Sequence, residues 1–532
     1  MKRLFALLIL TVVVVSCSGG TDKQARLVVA IVYDQFPAWA YAEYGELLSP
    51  DGALRRIGAT GAEHIVEYGY AATHTAPGHA AIFTGAPPAE NGVYSNESWS
   101  PDRGIRSIVD DGQHGVFGLP DAFASPEIIQ VDSVADALRK AHGDKAMIAG
   151  LSFKDRGAVL TTGRDPDLAL WYEKKLGRMT SSEYYTDALP DWAASWIANH
   201  LIEDYFEDWV PGDPERLQRL LGPDDAPGEA DYVGLGTTFP HNPVTTTDPA
   251  RTFRTTPQSA DHLLDLARVA VTELNLGEDD IPDLLVLSIS NIDYSGHVFG
   301  PDSWEYVDNL VRTDAAVGRF LAELESKTSV AVLITSDHGG AHLPELSDHS
   351  LPGDGRLYPD TLPDQMNTAV AGALGPGDWV GPYVPPFIYL TDAALASDMQ
   401  DEAVNALIDG LQALPEVHAA YDPRVAAGWK TDPDPVKRSV ALSIPDPGVG
   451  AVFVVRHPGS VDDESFERGK GTGHGSPWPF DSQVPVLFTG PGVGNISSTE
   501  PLAQNRVAAT LCRLLGVPPP NRISTVDSLP GL

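Results

Sequence analysis

The stretch DLLVLSISNIDYSGH, residues 283–297, changes character at its midpoint. An apolar run, DLLVLSIS over 283–290, passes directly into polar residues that include Asp293 and His297. A run of this length without alternation reads as a strand buried on both faces, as in a parallel sheet covered by helices. The polar residues then fall at the strand's carboxyl end, where open α/β sheets bind their ligands.

Working outward, the pattern recurs. LVVAIVY (27–33) ends in Asp34, and AMIAGLS (146–152) is followed by FKDRG with Lys154 and Arg156. VAVLITS (330–336) runs into Asp337 and His338 of DHGG, and VPVLFTG (484–490) follows a Gly-rich loop that carries His474. Helical periodicity fills SADHLLDLARVAVTELNL (259–276) and WEYVDNLVRTDAAVGRFLAELES (304–326). The expected architecture is α/β, with a largely parallel central sheet flanked by helices on both faces. The segments 161–257 and 341–450 are rich in Pro, Asp and aromatics. They read as insertions forming a cap, so that 26–532 make a single domain.

The chain has 532 residues and is 42% hydrophobic, enough to bury a large core. Its net charge of −37 disfavours nucleic acid or an anionic membrane surface as a partner. An anionic substrate would need a local cluster of cations. At the N-terminus, Lys2 and Arg3 precede LFALLILTVVVV (4–15), an apolar run too short to span a membrane and suited to export. VVSC then resembles a lipobox, predicting a lipoprotein signal peptide over 1–16, a lipidated Cys17 and a polar tether over 17–25. An ordinary cleaved signal peptide is the other reading. Membrane association is expected only through that lipid, on an exported, periplasmic or cell-surface bacterial protein. Cys512 would be the remaining thiol, which leaves no intrachain disulfide.

Asp and His together suit zinc. Asp293 and His297, four apart, share one side of a helical turn. Asp337 and His338 are adjacent and can meet one ion only at a strand end or turn. Gly473 and Gly475 allow the backbone to bend around His474. Each pair alone has a plain structural reading, as a strand terminator or a satisfied polar residue. The ordered set of Asp34, Asp293, His297, Asp337, His338 and His474 provides two three-ligand sites. Two metals about 4 Å apart can hold the attacking and leaving oxygens of a phosphoryl displacement.

THTAPGH, residues 73–79, offers the hydroxyl. Pro77 suits the first turn of a helix that continues through AAIF, so Thr75 lies at or just before its N-terminus, where an anion is favoured. Coordination to zinc lowers the pKa of such a hydroxyl. Thr75 could equally be a helix cap, and Thr73 is a rival nucleophile. His79 reads as structural. Lys154 and Arg156, two apart on an extended chain, project from one face. A guanidinium and an ammonium together match the dianion of a phosphate monoester better than a diester monoanion.

These motifs resemble the alkaline phosphatase superfamily, and within it the PafA-like, phosphate-irrepressible alkaline phosphatases. Those share a core with the nucleotide pyrophosphatase/phosphodiesterases. The resemblance is carried in order by VYDQ, THTAPGHAAIFTG, NGVYSNESW, SFKDRGA, SISNIDYSGHVFGPDS, SDHGG and GTGHGSPWPFDSQVPVLFTGPG, from about residue 27 to 518. It implies two zinc ions per chain. One is held by Asp293, His297 and His474, the other by Asp34, Asp337 and His338 with Thr75. The family pattern T-x-P-x-H falls on Thr75, making it the nucleophile of a phosphothreonine intermediate. The resemblance also implies that Asn96 donates to a phosphoryl oxygen and that Lys154 and Arg156 clamp small-molecule phosphate monoesters. The expected protein is then a single-domain alkaline phosphatase, acting as a monomer.

One alternative is a phosphodiesterase or nucleotide pyrophosphatase on the same metals, with an apolar pocket drawn from WAASWIANHLIEDYFEDW (192–209). A sulfatase is disfavoured, because the nucleophile region lacks C/S-x-P-x-R. The alternative of another class is a non-catalytic lipoprotein that binds zinc or another ligand.

Overall fold

The computed structural model describes residues 24–347, 353–463 and 466–532. The signal peptide, Cys17 and most of the tether lie outside the described residues. No helix among the described residues is long and apolar enough to cross a membrane.

The core is a nine-stranded sheet. Its strands are β1 (Leu27–Tyr33), β2 (Ala62–Glu67), β3 (Ile148–Ser152), β4 (Leu168–Glu173), β5 (Arg178–Thr180), β6 (Asp283–Ile289), β7 (Val330–Thr335), β8 (Gln483–Thr489) and β9 (Ile496–Ala503). They lie in the order β9-β2-β8-β7-β1-β6-β3-β4-β5. β1 is parallel to β6 on one side and β7 on the other, and β3 is parallel to β6 and β4. Only β8 and β5 run against the rest.

β1 explains why a run without alternation becomes a central strand. Leu27, Val29, Ile31 and Tyr33 enter the core on one face; Val28, Ala30 and Val32 enter the core on the other. Full burial of each large aliphatic side chain contributes about 1.5–3 kcal/mol, so both cores are anchored here. The helices that frame the sheet and the site include α1 (Thr75–Thr84), α2 (Val134–His142), α3 (Asp155–Val159), α4 (Pro257–Glu273), α5 (Asn291–Phe299), α6 (Trp304–Glu325) and α7 (Arg506–Leu515). α4 and α6 cover one face; α1, α2 and α7 cover the other. The Ser303 hydroxyl starts α6 by accepting the Tyr306 N–H at 3.0 Å.

Two features differ from the sequence reading. VPVLFTG, grouped with the parallel runs, forms β8 and pairs antiparallel with both β7 and β2. Its direction brings its first residue to the carboxyl edge of the parallel strands, so the Gly-rich loop before it reaches the same edge as Asp34. The segment 161–257 also supplies β4 and β5 to the main sheet. In contrast, residues 353–450, together with the strand Val452–Arg456 just beyond them, build a second sheet. Val380–Val384, Phe387–Leu390, Val452–Arg456 and Val417–Tyr421 pair antiparallel in that order, over a core that includes Met366, Val370, Leu407 and Leu411.

Asp314 in α6 ties this framework to β1. Its Oδ1 accepts from Leu54 N at 2.8 Å and Tyr33 Oη at 3.3 Å. Burial pushes its carboxyl up to about 7. The group is neutral in the folded protein and ionised in the unfolded chain between about pH 4 and pH 7. Its contribution is therefore full below about pH 4, and is lost as pH rises toward 7. The loss reaches at most about 4 kcal/mol. Asp314→Asn is expected to flatten that part of the stability–pH curve relative to wild type, measured by urea unfolding at pH 4.5 and 8. Parallel curves would refute the assignment.

Candidate active site

Five connections converge at one edge of the sheet. Asp34 follows β1, Asp337 and His338 follow β7, and α5 follows β6 with Asp293 and His297. Lys154 follows β3, and the loop into β8 carries His474. Thr75 is the first residue of α1 and is buried. α1 sits so close to the end of β7 that a Cβ on Gly78 would collide with the Asp337 carbonyl. A glycine is thus required for the nucleophile helix to approach the Asp337–His338 turn.

The Thr75 side chain does not cap its helix. Its Oγ1 receives a hydrogen bond from Lys154 Nζ at 3.2 Å and lies 3.5 Å from His338 Nε2. Thr73 is occupied elsewhere, donating its hydroxyl to the Ser476 carbonyl at 2.8 Å. His79 braces the arrangement: Nδ1 is 2.8 Å from the Thr75 carbonyl and 3.1 Å from Asp337 Oδ2, and Nε2 is 2.8 Å from Ser288 Oγ.

Two groups of ligand atoms lie close enough to share an ion: Asp293, His297 and His474, and Asp34, Asp293 and His338. Asp293 belongs to both. His297 Nε2 is 3.3 Å and His474 Nε2 3.8 Å from Asp293 Oδ1. His338 Nε2 is 3.4 Å from Asp34 Oδ1 and 3.5 Å from Asp337 Oδ2. Asp337 stands beside the second group and is shared with His79. A third candidate group, Asp111, His114 and Glu127, lies outside this site and is partly exposed.

All three histidines are oriented in the same way. The Nδ1 atoms of His297, His474 and His338 face the carbonyls of Thr472, Thr73 and Gly339 at 2.9, 2.9 and 2.8 Å. A carbonyl only accepts, so each Nδ1 is the donor and each Nε2 points inward, the orientation that second-shell bonds impose on metal-binding histidines. His474 is buried against His74, whose ring fills the space a Cβ on Gly475 would need; Gly475 has φ of +103°.

The cluster is short of positive charge. Asp34, Asp293 and Asp337 are each at most 1% exposed, and among the described residues no hydrogen bond of normal geometry reaches Asp34 Oδ1, Asp293 Oδ1 or Asp337 Oδ2. Lys154 Nζ sits between Asp34 at 2.7 Å and Asp293 at 2.6 Å. Burial, then Asp293 and Asp337, raise the Asp34 carboxyl above its usual range. Burial opposes ionisation of Asp293 as well, but Lys154 and His297 override it and hold that carboxyl well below the usual range. Burial likewise opposes charge on His338, yet Asp337 and Asp34 keep its pKa up at about 9. Burial and the neighbouring His338 and His297 keep His474 well below the ordinary histidine range, in its neutral, ligating form. Carboxylates in excess of buried cations, with imidazoles aimed at them, are a donor set that fits divalent metal.

Lys154 and Arg156 do not share one extended segment as the sequence reading expects. Lys154 is extended at the N-cap of α3, and Arg156 lies in the helix's first turn. Both still line a cavity of about 440 Å³ with Thr75, Asn96 and His474. Asn96 Oδ1 accepts the Ala76 N–H at 2.8 Å, so its NH₂ end is left to face the cavity. Sequence reasoning missed Arg254 and Tyr294. The Arg254 guanidinium lies 4.3 Å from the Tyr294 ring centroid and donates to its hydroxyl at 2.6 Å. The only signal was that Tyr294 adjoins Asp293. The aromatics of 192–209 pack inward: Trp196 joins the main core, and Trp209, fully buried, donates to Asp308. The cavity's rings come from Phe153, Tyr172, Tyr232, Tyr294 and Phe466 instead.

A family model for type I phosphodiesterase / nucleotide pyrophosphatase matches residues 28–355. The chain is 28% identical to a Myroides odoratus protein named calcium-transporting ATPase, over 94% of this chain and 93% of that one. It is also 28% identical to alkaline phosphatase PhoV of Synechococcus elongatus, over 94% of this chain and 92% of that one. The crystal structure of wild-type alkaline phosphatase PafA superposes with a TM-score of 0.85 at 26% identity, covering 95% of this chain and 98% of that one.

Proposed function

The chain belongs to the type I phosphodiesterase / nucleotide pyrophosphatase family, and from that premise we propose that it is an alkaline phosphatase, hydrolysing small-molecule phosphate monoesters through a phosphothreonine intermediate. The similarity to proteins named alkaline phosphatase supports this reading. The observation that carries it is the presence of Lys154 and Arg156 in one cavity with Thr75. We read 26–532 as one catalytic domain, exported and held at the membrane by a lipidated Cys17.

Asp293, His297 and His474 would hold one divalent ion, and Asp34, Asp337 and His338 with Thr75 the other; we read both as zinc. When bound, such ions lower the pKa of a hydroxyl or water and stabilise a leaving oxygen. Thr75 Oγ1 loses its proton and attacks phosphorus, the bond to the leaving-group oxygen breaks, that oxygen takes up a proton and departs as the alcohol, and the phosphoryl group passes to Thr75. Water then attacks the phosphothreonine and releases inorganic phosphate, returning the hydroxyl. Lys154, Arg156 and the Asn96 amide hold the equatorial oxygens, where transition-state charge is concentrated. Three free oxygens and two charges suit that set of donors. A diester, with one charge and an added substituent, leaves part of it unmatched.

The test compares kcat/KM for p-nitrophenyl phosphate and bis-p-nitrophenyl phosphate on zinc-loaded enzyme. A monoester preference of at least about 10³-fold is expected. In Lys154→Ala/Arg156→Ala it should shrink by at least about 100-fold, roughly two charge-assisted hydrogen bonds. A diester preference in the wild type would instead assign the phosphodiesterase activity. Equal losses on both substrates would remove the clamp from the specificity argument.

A further inference from the structure

The cavity gathers more positive charge than the clamp needs. Lys174, Arg251 and Arg254 line the same space as Thr75, Lys154 and Arg156. The whole chain carries a net charge of −37, so cations crowded at one point run against the general field. Lys174, Arg251 and Arg254 form no ion pair among the described residues. Of the acids that line the cavity, Asp293 is committed to Lys154, and Asp155 to Arg156 and the Ser107 hydroxyl; Glu97 and Glu173 are the other two. Glu173, next to Lys174, offsets part of the charge. Arg254 is only 7% exposed. A buried guanidinium without a carboxylate is costly unless a ligand supplies the anion.

Tyr294 sets the spacing. Lys154 Nζ lies 5.3 Å and Arg254 Cζ 4.3 Å from the centroid of that one ring. The two charges can thus be no farther apart than the total of these distances, about 10 Å, the reach of a compact molecule with two phosphates. Tyr232, whose ring centroid is 5.3 Å from the Arg251 guanidinium, lines the same cavity.

We propose that Lys174, Arg251 and Arg254 form a second anion subsite, and that the preferred substrates are phosphate monoesters whose leaving group carries a second phosphate. This rests on the phosphatase reading above. Lys154 and Arg156 take the phosphoryl group that is transferred; the second set takes the phosphate that departs with the alcohol.

The experiment measures phosphate release from fructose 1,6-bisphosphate, fructose 6-phosphate and p-nitrophenyl phosphate by metal-replete enzyme. It uses the wild type and Lys174→Ala/Arg251→Ala, whose two side chains are exposed. The wild type is expected to favour the bisphosphate by at least about tenfold in kcat/KM. The variant should lose at least about tenfold on the bisphosphate, mainly through KM, the scale of one charged hydrogen bond. It should change less than about threefold on the other two substrates. The bisphosphate preference should also weaken as salt rises. No preference in the wild type, or equal losses on all substrates, would overturn the subsite while p-nitrophenyl phosphate turnover upholds the phosphatase reading. No turnover of any substrate would overturn both.

Discussion

Replacing Thr75 by alanine is expected to lower kcat/KM for phosphate monoesters by at least about three orders of magnitude, roughly 4 kcal/mol of transition-state stabilisation. The expectation follows from where the hydroxyl sits. Its contacts are Lys154 Nζ at 3.2 Å and His338 Nε2 at 3.5 Å, and it makes no bond to its own helix. The substitution deletes the attacking atom without removing a cap, so the melting temperature should change little. Thr75→Ser, which keeps the oxygen, should retain most turnover. A loss below about tenfold in Thr75→Ala would move the nucleophile elsewhere. Thr73 is a poor substitute, because the Ser476 carbonyl already takes its proton at 2.8 Å.

Metal removal is expected to have the other large effect. Dialysis against a strong chelator should abolish turnover and lower the melting temperature, and zinc should restore both. The stability change arises because an ion bound only by the folded state stabilises it by mass action. Without ions, Asp34, Asp293 and Asp337 face one another with Lys154 and His338 as the main compensating cations. Asp293 belongs to both candidate groups, whereas His474 belongs to one. His474→Ala should reduce bound metal at one position; Asp293→Ala should match it if Asp293 serves the His297–His474 ion alone and exceed it if Asp293 bridges both groups, as read by metal content per chain. Activity and melting temperature that ignore the chelator would sink the metal assignment, as would two variants that both keep the wild-type metal content.

The strand ends were legible from sequence because unbroken apolar runs have few alternatives at this length. The residue after each run is at an edge wherever the strand lies. β2 escaped notice because AEHIVE alternates buried and half-buried positions instead of forming such a run. β4 and β5 lay inside a segment whose Pro, Asp and aromatic content resembles that of a loop. The direction of β8 was hidden for a different reason. Periodicity reports how buried a strand is, and both orientations bury it equally.

The class of fold, the doubly covered central strands, and the chemical types that end them (Asp34, Asp293, His297, Asp337, His338, Lys154 and Arg156) follow from the residues alone. Which of these meet follows from how the chain closes. β1 lies between β6 and β7, so Asp34 is brought against Asp293 on one side and His338 on the other. Strand order is set by the packing of both sheet faces at once, and no local stretch encodes it. The same packing brings Arg254 across Tyr294 toward Lys154. Charges remote in sequence acquire their partners, or their lack of one, only when the chain closes around them.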